Sequence, residues 1–347
     1  MARRPTQRQI FEALEARFGP EVAAAFTQSV DDLRAGVSLA DVIAALEVGD
    51  IEAALSAFNL NDAAMRPLQR SVALAYETAG SQYAALITAA ARQAGLRTVM
   101  RFNLTNPRAE RWLREMSSRN VTNIIADQRE AIREALRTGM AAGRGPRNTA
   151  LDIVGRVNQQ TGRRVGGTIG LTSQQSGYVA TARAELASGD PDLMRNYLTR
   201  SLRDKRFDPA VRRAIANGTK LDADTITRAA GRYSDRLLKL RGDTIARTES
   251  MAALNAGQSQ AFRQSVDDGL VDPDALEKEW DSAGGGRVRD THADLDGQTV
   301  GIGEAFVSPS GARMMHPLDA SLGAPASEII ACRCRSKYRI DHFRGLE

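Results

Sequence analysis

The sequence predicts an α+β protein, with mostly α-helical N-terminal and central regions followed by a small antiparallel sheet at the C-terminus. Apolar residues recur at three-to-four spacing over most of 1–240, which is typical of amphipathic helices. After Gly269, short apolar runs alternate with turns, as in strands joined by loops. The length of 347 residues allows two or three domains. We divide the chain into an N-terminal helical region (1–100), a basic helical region (101–240) and a C-terminal domain (241–347).

The N-terminal region is rich in alanine, and its apolar residues fall on helical faces. Ile10, Leu14 and Phe18 mark the first helix. This helix is predicted to end at Gly19-Pro20, because proline removes a backbone donor and crowds the preceding turn. The pattern indicates a small layer of helices.

A longer helix is predicted in the basic region, where an apolar stripe ends at Gly139. The stripe consists of Val121, Ile124, Ile125, Gln128, Ile132 and Leu136. Further helices are expected over 172–187, over 191–203, and from an N-cap at Asp243 to Phe262. Polar side chains at the edge of that last helix are expected to hydrogen-bond neighbouring backbone and to hold the helix against the sheet.

A glycine-rich segment, 162–171, interrupts the helices of the basic region. A phosphate cradle is one interpretation, because glycine lets backbone N–H groups approach an anion. The segment has neither the lysine of a P-loop nor a G-x-G-x-x-G pattern. We therefore favour a flexible hairpin or linker.

The C-terminal domain contains the short runs that predict its sheet. These are 279–281, 287–289, 298–300, 306–307 and 329–330. Asp296-Gly297 is predicted to form a turn between two strands, since glycine tolerates the left-handed backbone that tight hairpins need.

The formal net charge of +5 is unevenly distributed. Residues 101–250 carry 28 Lys and Arg against 16 Asp and Glu, and arginine dominates. Its planar guanidinium suits phosphate oxygens, so we expect non-specific contact with double-stranded DNA or with an acidic protein surface. A solvated helix face in an arginine-rich composition is the alternative. The predicted DNA contacts are Arg195, Arg200, Arg203, Arg206, Arg212 and Arg213.

The sequence has no apolar run of signal-peptide or membrane-span length, so we expect a soluble product that is made in the cytoplasm and makes no membrane contact. Its two cysteines are separated by one residue, a spacing that strains an intramolecular disulfide. Cys332 and Cys334 are therefore interpreted as thiols or metal ligands.

All histidines and cysteines fall in the C-terminal domain, which makes a zinc site possible there. The candidate ligands are His292, His316, Cys332 and Cys334. The C-x-C spacing is less typical than C-x-x-C, and the His–Cys gaps match no common zinc finger. Without a metal, we expect His292 to hydrogen-bond a neighbouring aspartate and the cysteines to pack as small apolar residues.

Other chemistry remains open around His292. Asp290, Asp294 and Asp296 are suited to a hard cation or to general acid–base catalysis, although the glutamate that closes an EF-hand loop is absent at the required distance. A cysteine nucleophile activated by histidine is a further alternative.

The ordered motifs of the C-terminal domain resemble the phage head-morphogenesis family typified by the Mu F-like minor capsid proteins. The motifs are Ile245-Ala-Arg-Thr-Glu249, Asn255-Ala-Gly257, Trp280, Arg287-Val-Arg-Asp-Thr-His292, Leu295-Asp-Gly-Gln298, Phe306, Pro309-Ser-Gly311, His316-Pro317, Gly323-Ala-Pro325, Glu328-Ile-Ile330 and Cys332-Arg-Cys334. On this resemblance we assign structural roles to Arg247, Glu249, Asn255, Trp280, Arg289, His292, Asp296 and Gly297.

The resemblance implies a low-copy virion protein, located in the capsid interior or at the portal vertex. Its implied partners are the portal protein, scaffold or major capsid protein, and packaged DNA. Such a protein is not an enzyme. The alternative from the residues themselves is a metal-dependent hydrolase or nuclease using His292, Asp294, Asp296 and His316, which requires an open cleft with a vacant metal position.

Overall fold

The computed structural model describes residues 5–286 and 288–340, with only the backbone of 117 and 119–121. Arg287, His342 and the side chain of Val121 thus lie outside the described residues. The α+β prediction is confirmed, because long helices precede a small antiparallel sheet. No helix of the described part has an apolar stretch long enough to span a membrane.

The helices of the described residues run through most of the chain. They are α1 (Gln7–Ala35), α2 (Leu39–Glu47), α3 (Ile51–Ser56), α4 (Arg66–Gln93), α5 (Pro107–Ala141), α6 (Pro146–Val154), α7 (Ser173–Ala187), α8 (Pro191–Thr199), α9 (Asp208–Asn217), α10 (Ala223–Asp267), α11 (Asp290–Ala293) and α12 (Ala326–Ile329). Short 3-10 helices lie at Asp62–Met65, Lys205–Phe207 and Pro273–Ala275.

The strands form three small antiparallel sheets. They are β1 (Arg156–Val157), β2 (Arg164–Val165), β3 (Leu276–Asp281), β4 (Thr299–Gly301), β5 (Phe306–Val307), β6 (Arg313–Met314) and β7 (Arg335–Ile340). The largest sheet has the order β4-β3-β7, and the other two are the pairs β1-β2 and β5-β6. In the large sheet Trp280 pairs with Ser336, two residues after Cys334.

The chain divides into two compact units, each built from separate segments. Unit 1 comprises Met1–Phe26, Pro67–Ser117 and Asp243–Glu347, and unit 2 comprises Thr27–Arg66 and Ser118–Gly242. The division into three consecutive regions stays a prediction about domains.

Unit 1 packs the sheet on the last part of α10. Phe262 of α10 stacks on Tyr338 of β7, with ring centroids 4.2 Å apart. Leu276 and Ile302 complete this buried cluster from β3 and the residue after β4. Gly257 brings α10 close to α4, because a Cβ at this position would lie 2.4 Å from the carbonyl oxygen of Tyr76.

Unit 2 has its own apolar core beneath the glycine-rich segment. The core includes Leu171, Val179, Leu186, Met194, Tyr197 and Leu237. β1 and β2 form a hairpin, and Gly166 to Gly170 behind it are buried. Arg34 donates to the carbonyl of Gly166, and Asp235 accepts from the N–H of Gly166 at 2.6 Å. The carboxylate of Asp235 thus already binds the N–H of Gly166, which a phosphate cradle would need for its anion.

Four helix boundaries were predicted wrongly. Helix α8 ends at Thr199 rather than at residue 203, and α10 ends at Asp267 rather than at Phe262. α1 continues through Gly19-Pro20, since Phe18 and Val22 are buried on both sides of the proline and only one intrahelical hydrogen bond is lost. Asp243 lies inside α10 rather than at its N-cap, because a single interior glycine before it costs only about 1 kcal/mol of helix stability.

The strand predictions hold at β3, β4 and β5 and fail elsewhere. Val288 and Arg289 form no strand. Ile329 lies in the one-turn helix α12, and the apolar pair Ile329-Ile330 was mistaken for a strand because so short a helix has no periodic pattern. β7 was missed because half of its residues, in Arg335–Ile340, are charged. Its buried residues alternate only in part with exposed ones, so its period-2 signal is weak.

Candidate metal centre

Short elements around the large sheet hold a buried cluster of one histidine and two cysteines. His292 lies on α11, and Cys332 and Cys334 lie between α12 and β7. Their side-chain ligand atoms all lie within 4.8 Å of one another. All three residues are buried, with His292 only 1% exposed.

The distances in this cluster match a tetrahedral zinc site. The Nδ1 atom of His292 lies 3.4 Å from the Sγ of Cys332 and 3.5 Å from the Sγ of Cys334. Zn–S and Zn–N bonds at a tetrahedral angle give an S···N separation of about 3.6 Å. The backbone N–H of Cys334 also donates to the Sγ of Cys332 at 3.3 Å, which favours a thiolate. The donor set and its spacing therefore fit zinc.

A carboxylate orients the second nitrogen of the imidazole. The Nε2 atom of His292 lies 2.8 Å from Oε2 of Glu328. The Nε2–H bond does not point directly at this oxygen, so the contact is electrostatic rather than an aligned hydrogen bond. Ser310 and Thr291 donate hydrogen bonds to the same carboxylate. Burial raises the pKa of Glu328, but these hydrogen bonds and the charge on His292 outweigh burial and lower the pKa below its ordinary value. An ionised Glu328 directs Nδ1 toward the sulfurs, as carboxylate–histidine–zinc arrangements do.

The two thiols do not ionise alike. Their mutual hydrogen bond, together with burial, raises the pKa of Cys332. The same bond and the adjacent His292 lower the pKa of Cys334. The indole N–H of Trp280 is buried without an aligned acceptor among the described residues and also lowers the pKa of Cys334. These surroundings stabilise negative charge on the sulfur of Cys334, and a thiolate is the form that binds a metal.

A cleft of about 310 Å³ borders the cluster. Arg247, Arg289 and Arg333 line it together with the three cluster residues. Arg289 is partly engaged, since its guanidinium contacts the carbonyls of Glu328 and Ile330. If these three residues held zinc, a fourth ligand position would face the cleft, and the cationic lining would suit water, hydroxide or an anion there.

His316 does not join the cluster in the described residues. It is buried near Asp319 and Lys278, and its Nδ1 lies 2.9 Å from the carbonyl oxygen of Pro317. Burial lowers its pKa, so its neutral form is favoured. The structure thus brings together three of the four predicted ligands.

The aspartates near His292 lie outside the cluster as well. Asp290, Asp294 and Asp296 are exposed, and they form no metal-ligand group with His292 in the described chain. The expectation that an aspartate would hold His292 was wrong, because Glu328 has that place. Asp296 instead accepts a hydrogen bond from the N–H of Ser282 at 2.7 Å and fixes the turn before β4.

The arginines predicted to contact DNA differ in their surroundings. Arg200 makes a two-pronged ion pair with Glu185, and Arg203 makes one with Asp208. Both guanidinium groups are mostly buried. The remaining four, Arg195, Arg206, Arg212 and Arg213, are exposed. Arg195 and Arg206 pair with nearby aspartates, and a guanidinium nitrogen of Arg212 lies 4.0 Å from a carboxylate oxygen of Asp208.

Comparison with known proteins identifies the segment that contains the cluster. Residues 205–337 match the family model of phage Mu protein F like protein. This segment is therefore similar to the Mu F-like family. The chain is also 33% identical over 124 residues to YqbB, an uncharacterized protein of Bacillus subtilis (strain 168). That match covers 35% of this chain and 37% of YqbB, so it spans well under half of the relative. No solved structure matches the chain significantly.

The Mu F-like segment includes every residue of the cluster and the glutamate behind it. Glu328 is the functional residue that our sequence reasoning missed. It stands in one of the motifs of the resemblance, four residues before Cys332, but nothing in the local spacing connects it to His292. Only the folded chain shows that α11 and α12 place the two side chains together.

Proposed function

We propose that the chain is a phage minor head protein that acts in procapsid assembly. The match of residues 205–337 to the Mu F-like family carries this proposal. The helical character of the rest of the chain agrees with a protein that works through surfaces. We place the protein inside the virion, in the capsid interior or at the portal vertex, after synthesis in the host cytoplasm.

The portal protein is the partner we propose first, with scaffold or major capsid protein as further partners. Co-expression of the full chain with the portal protein of the same phage tests this directly. We expect the two proteins to co-purify and the chain to enter procapsids. Co-purification with major capsid or scaffold protein alone would move the contact away from the portal.

Within this function, we propose that His292, Cys332 and Cys334 hold one zinc ion. Such an ion joins α11 to the segment before β7, two parts of the chain that are far apart in sequence. Zinc supplies folding free energy to small domains of this kind. The cluster thereby acts as a structural link in the Mu F-like segment.

We also propose non-specific contact with packaged DNA through exposed arginines of unit 2. Arg206, Arg212 and Arg213 present guanidinium groups to solvent. Arg200 and Arg203 stabilise unit 2 through their own carboxylate partners instead. Contacts with a phosphate backbone need cations that reach solvent, and the first group provides them.

A metal-dependent hydrolase is the second candidate, and one observation favours it. The cluster offers three protein ligands beside an arginine-lined cleft, and catalytic zinc sites keep a fourth position open. The residues of that candidate are His292, Cys332 and Cys334, because Asp294, Asp296 and His316 lie elsewhere. Hydrolysis of DNA or peptide by zinc-loaded protein, lost in Arg247→Gln with unchanged zinc content, would establish it.

A further inference from the structure

Unit 2 contains a second site that lies away from the Cys–His cluster. A cavity of about 260 Å³ opens between α5, α6 and α7. Most of its lining is small and apolar, including Ala135, Ile153, Val179 and Ala180. Two arginines, one aspartate and several hydroxyl groups interrupt this apolar lining.

The charged groups of the cavity are unbalanced. Asp152 is the acceptor for three arginines: its Oδ1 lies 2.9 Å from a guanidinium nitrogen of Arg156 and 2.9 Å from one of Arg183, and its Oδ2 contacts Arg144. Of these arginines, Arg144 and Arg183 line the cavity, so its wall carries two guanidinium groups against one carboxylate, a surplus of one positive charge. Cations in an apolar setting are costly unless they are paired.

Polar atoms in the cavity wall are left without hydrogen bonds. Three buried atoms have no hydrogen-bond partner in the described part of the chain: the Nε atom of Arg144, the Oγ1 atom of Thr168 and the Oδ2 atom of Asp152, which contacts Arg144 only as an ion pair. Buried polar atoms of this kind are normally satisfied, so the two unpaired donors, Arg144 Nε and Thr168 Oγ1, point to an acceptor that binds in the cavity.

Arg183 is the more deeply buried of the two arginines that line the cavity, with its side chain 13% exposed. Burial lowers its pKa to about 10; Asp152 opposes this lowering, and Arg144 and Arg156 add to it. A bound anion would offset both the burial and the mutual repulsion of the guanidinium groups.

We propose that this cavity binds a small organic anion: a carboxylate or phosphate group held by Arg144 and Arg183, with a compact apolar body lying against the alanines of α5 and α7. A cavity of about 260 Å³ holds roughly nine non-hydrogen atoms if each takes the liquid volume of a water molecule, about 30 Å³. Guanidinium forks recognise both carboxylate and phosphate groups in two-pronged fashion. This site is independent of the role in head assembly.

Calorimetric titration of the full chain tests the proposal with octanoate, its neutral analogue octanamide, and inorganic phosphate as probes. We expect saturable binding of one octanoate per chain, and affinities at least tenfold weaker for octanamide and phosphate. A tenfold difference corresponds to about 1.4 kcal/mol. Equal affinity for octanoate and octanamide, or no saturable binding of octanoate, would overturn the proposal. Phosphate binding as tightly as octanoate would also overturn it, because the apolar body would then contribute nothing.

The variant Arg183→Gln tests how much the charge of the cavity contributes to octanoate binding. Arg183→Gln should weaken octanoate binding at least tenfold, and Asp152 would keep Arg144 and Arg156 as partners. Arg228→Gln is the matched control, since Arg228 is exposed and pairs with Asp224 outside the cavity, and it should leave the affinity within about twofold.

Ala180→Leu fills the cavity while leaving every charge in place. It should abolish octanoate binding without lowering the melting temperature, so this variant decides the question even where Arg183→Gln does not fold. Octanoate binding to Ala180→Leu with the affinity of the unaltered chain would refute the site.

Discussion

The side chain of Asn255 joins α10 to the backbone of Cys334. Its Nδ2 donates to the carbonyl oxygen of Cys334 at 3.1 Å, and its Oδ1 accepts from the N–H of Ser336 at 3.3 Å. Thr248, two turns earlier on α10, accepts a hydrogen bond from the N–H of Ala331. The helix thus fixes the backbone on both sides of Cys332, and this agrees with the expectation that edge polar residues hold the helix against the sheet.

Replacing Asn255 by alanine should destabilise unit 1. The change leaves a buried carbonyl and a buried N–H without partners, at a cost of about 2–4 kcal/mol in the free energy of unfolding. Asn255→Asp keeps the acceptor for Ser336 but sets a buried carboxylate against the carbonyl oxygens of Met251 and Cys334, so it should lose at least as much. Denaturant titration followed by tryptophan fluorescence, from Trp112 and Trp280 of unit 1, measures both variants, and a loss below about 0.5 kcal/mol for Asn255→Ala would contradict this role.

The proposed zinc ion should be measurable in the purified full chain. We expect about one equivalent by elemental analysis, and a lowered melting temperature after chelation because bound metal stabilises only the folded state. Cys332→Ser should lose the metal, since a hydroxyl is a poor replacement for a thiolate. Folded protein without metal, whose Cys334 reacts readily with iodoacetamide, would instead indicate a thiol–imidazole–carboxylate arrangement.

Glu328→Gln provides the sharper variant for the same site, because it alters no ligand. Loss of the carboxylate behind His292 should weaken zinc binding by about 10- to 100-fold. Glu304→Gln is the matched control, as Glu304 lies in the same unit, accepts a local hydrogen bond from Gly301 and is not a member of the Cys–His cluster. Equal zinc affinity in both variants would remove Glu328 from the site.

The exposed arginines of unit 2 should determine DNA affinity. Without sequence preference, log affinity for duplex DNA should fall with log salt, and the double variant Arg212→Gln, Arg213→Gln should reduce that slope by about 0.9 per lost contact. Arg203→Gln should lower the melting temperature instead, because it breaks a buried ion pair with Asp208. Binding that does not depend on salt would exclude phosphate contacts.

Lys278 should give the stability of unit 1 a distinct pH dependence. Burial lowers its pKa from 10.5 to about 7, with Arg263 lowering it and Asp319 and Glu304 raising it. Below pH 7 the folded state bears the full cost of a buried ammonium. Between pH 7 and 10.5 the unfolded state binds more protons, so stability rises with pH by up to about 1.4 kcal/mol per unit.

Lys278→Met should remove this rise. The measurement is the free energy of unfolding of both proteins across pH 6–10. The variant loses the hydrogen bond to the carbonyl of Met315 at every pH, so the slope rather than the absolute stability is decisive. Parallel curves for the two proteins would show that Lys278 stays charged in the folded state.

The sequence allowed the fold class to be predicted from periodicity, and the location of all histidines and cysteines in the C-terminal domain drew attention to His292, Cys332 and Cys334, which the structure brings together. The placement of His316 and Glu328 depends on how α11, α12 and β7 pack, which no local pattern records. The same limit applies to Arg200 and Arg203. Their basic character is plain in the sequence, but their carboxylate partners Glu185 and Asp208 become evident only in the packed helices.

The central claim is that the chain is a component of the phage head, and quantitative mass spectrometry of purified, DNA-filled heads tests it most directly. We predict that the chain is present at a fixed copy number far below that of the major capsid protein, and that heads lacking it assemble or package poorly. Absence of the chain from both procapsids and mature heads, with normal assembly and packaging after deletion of its gene, would contradict the account.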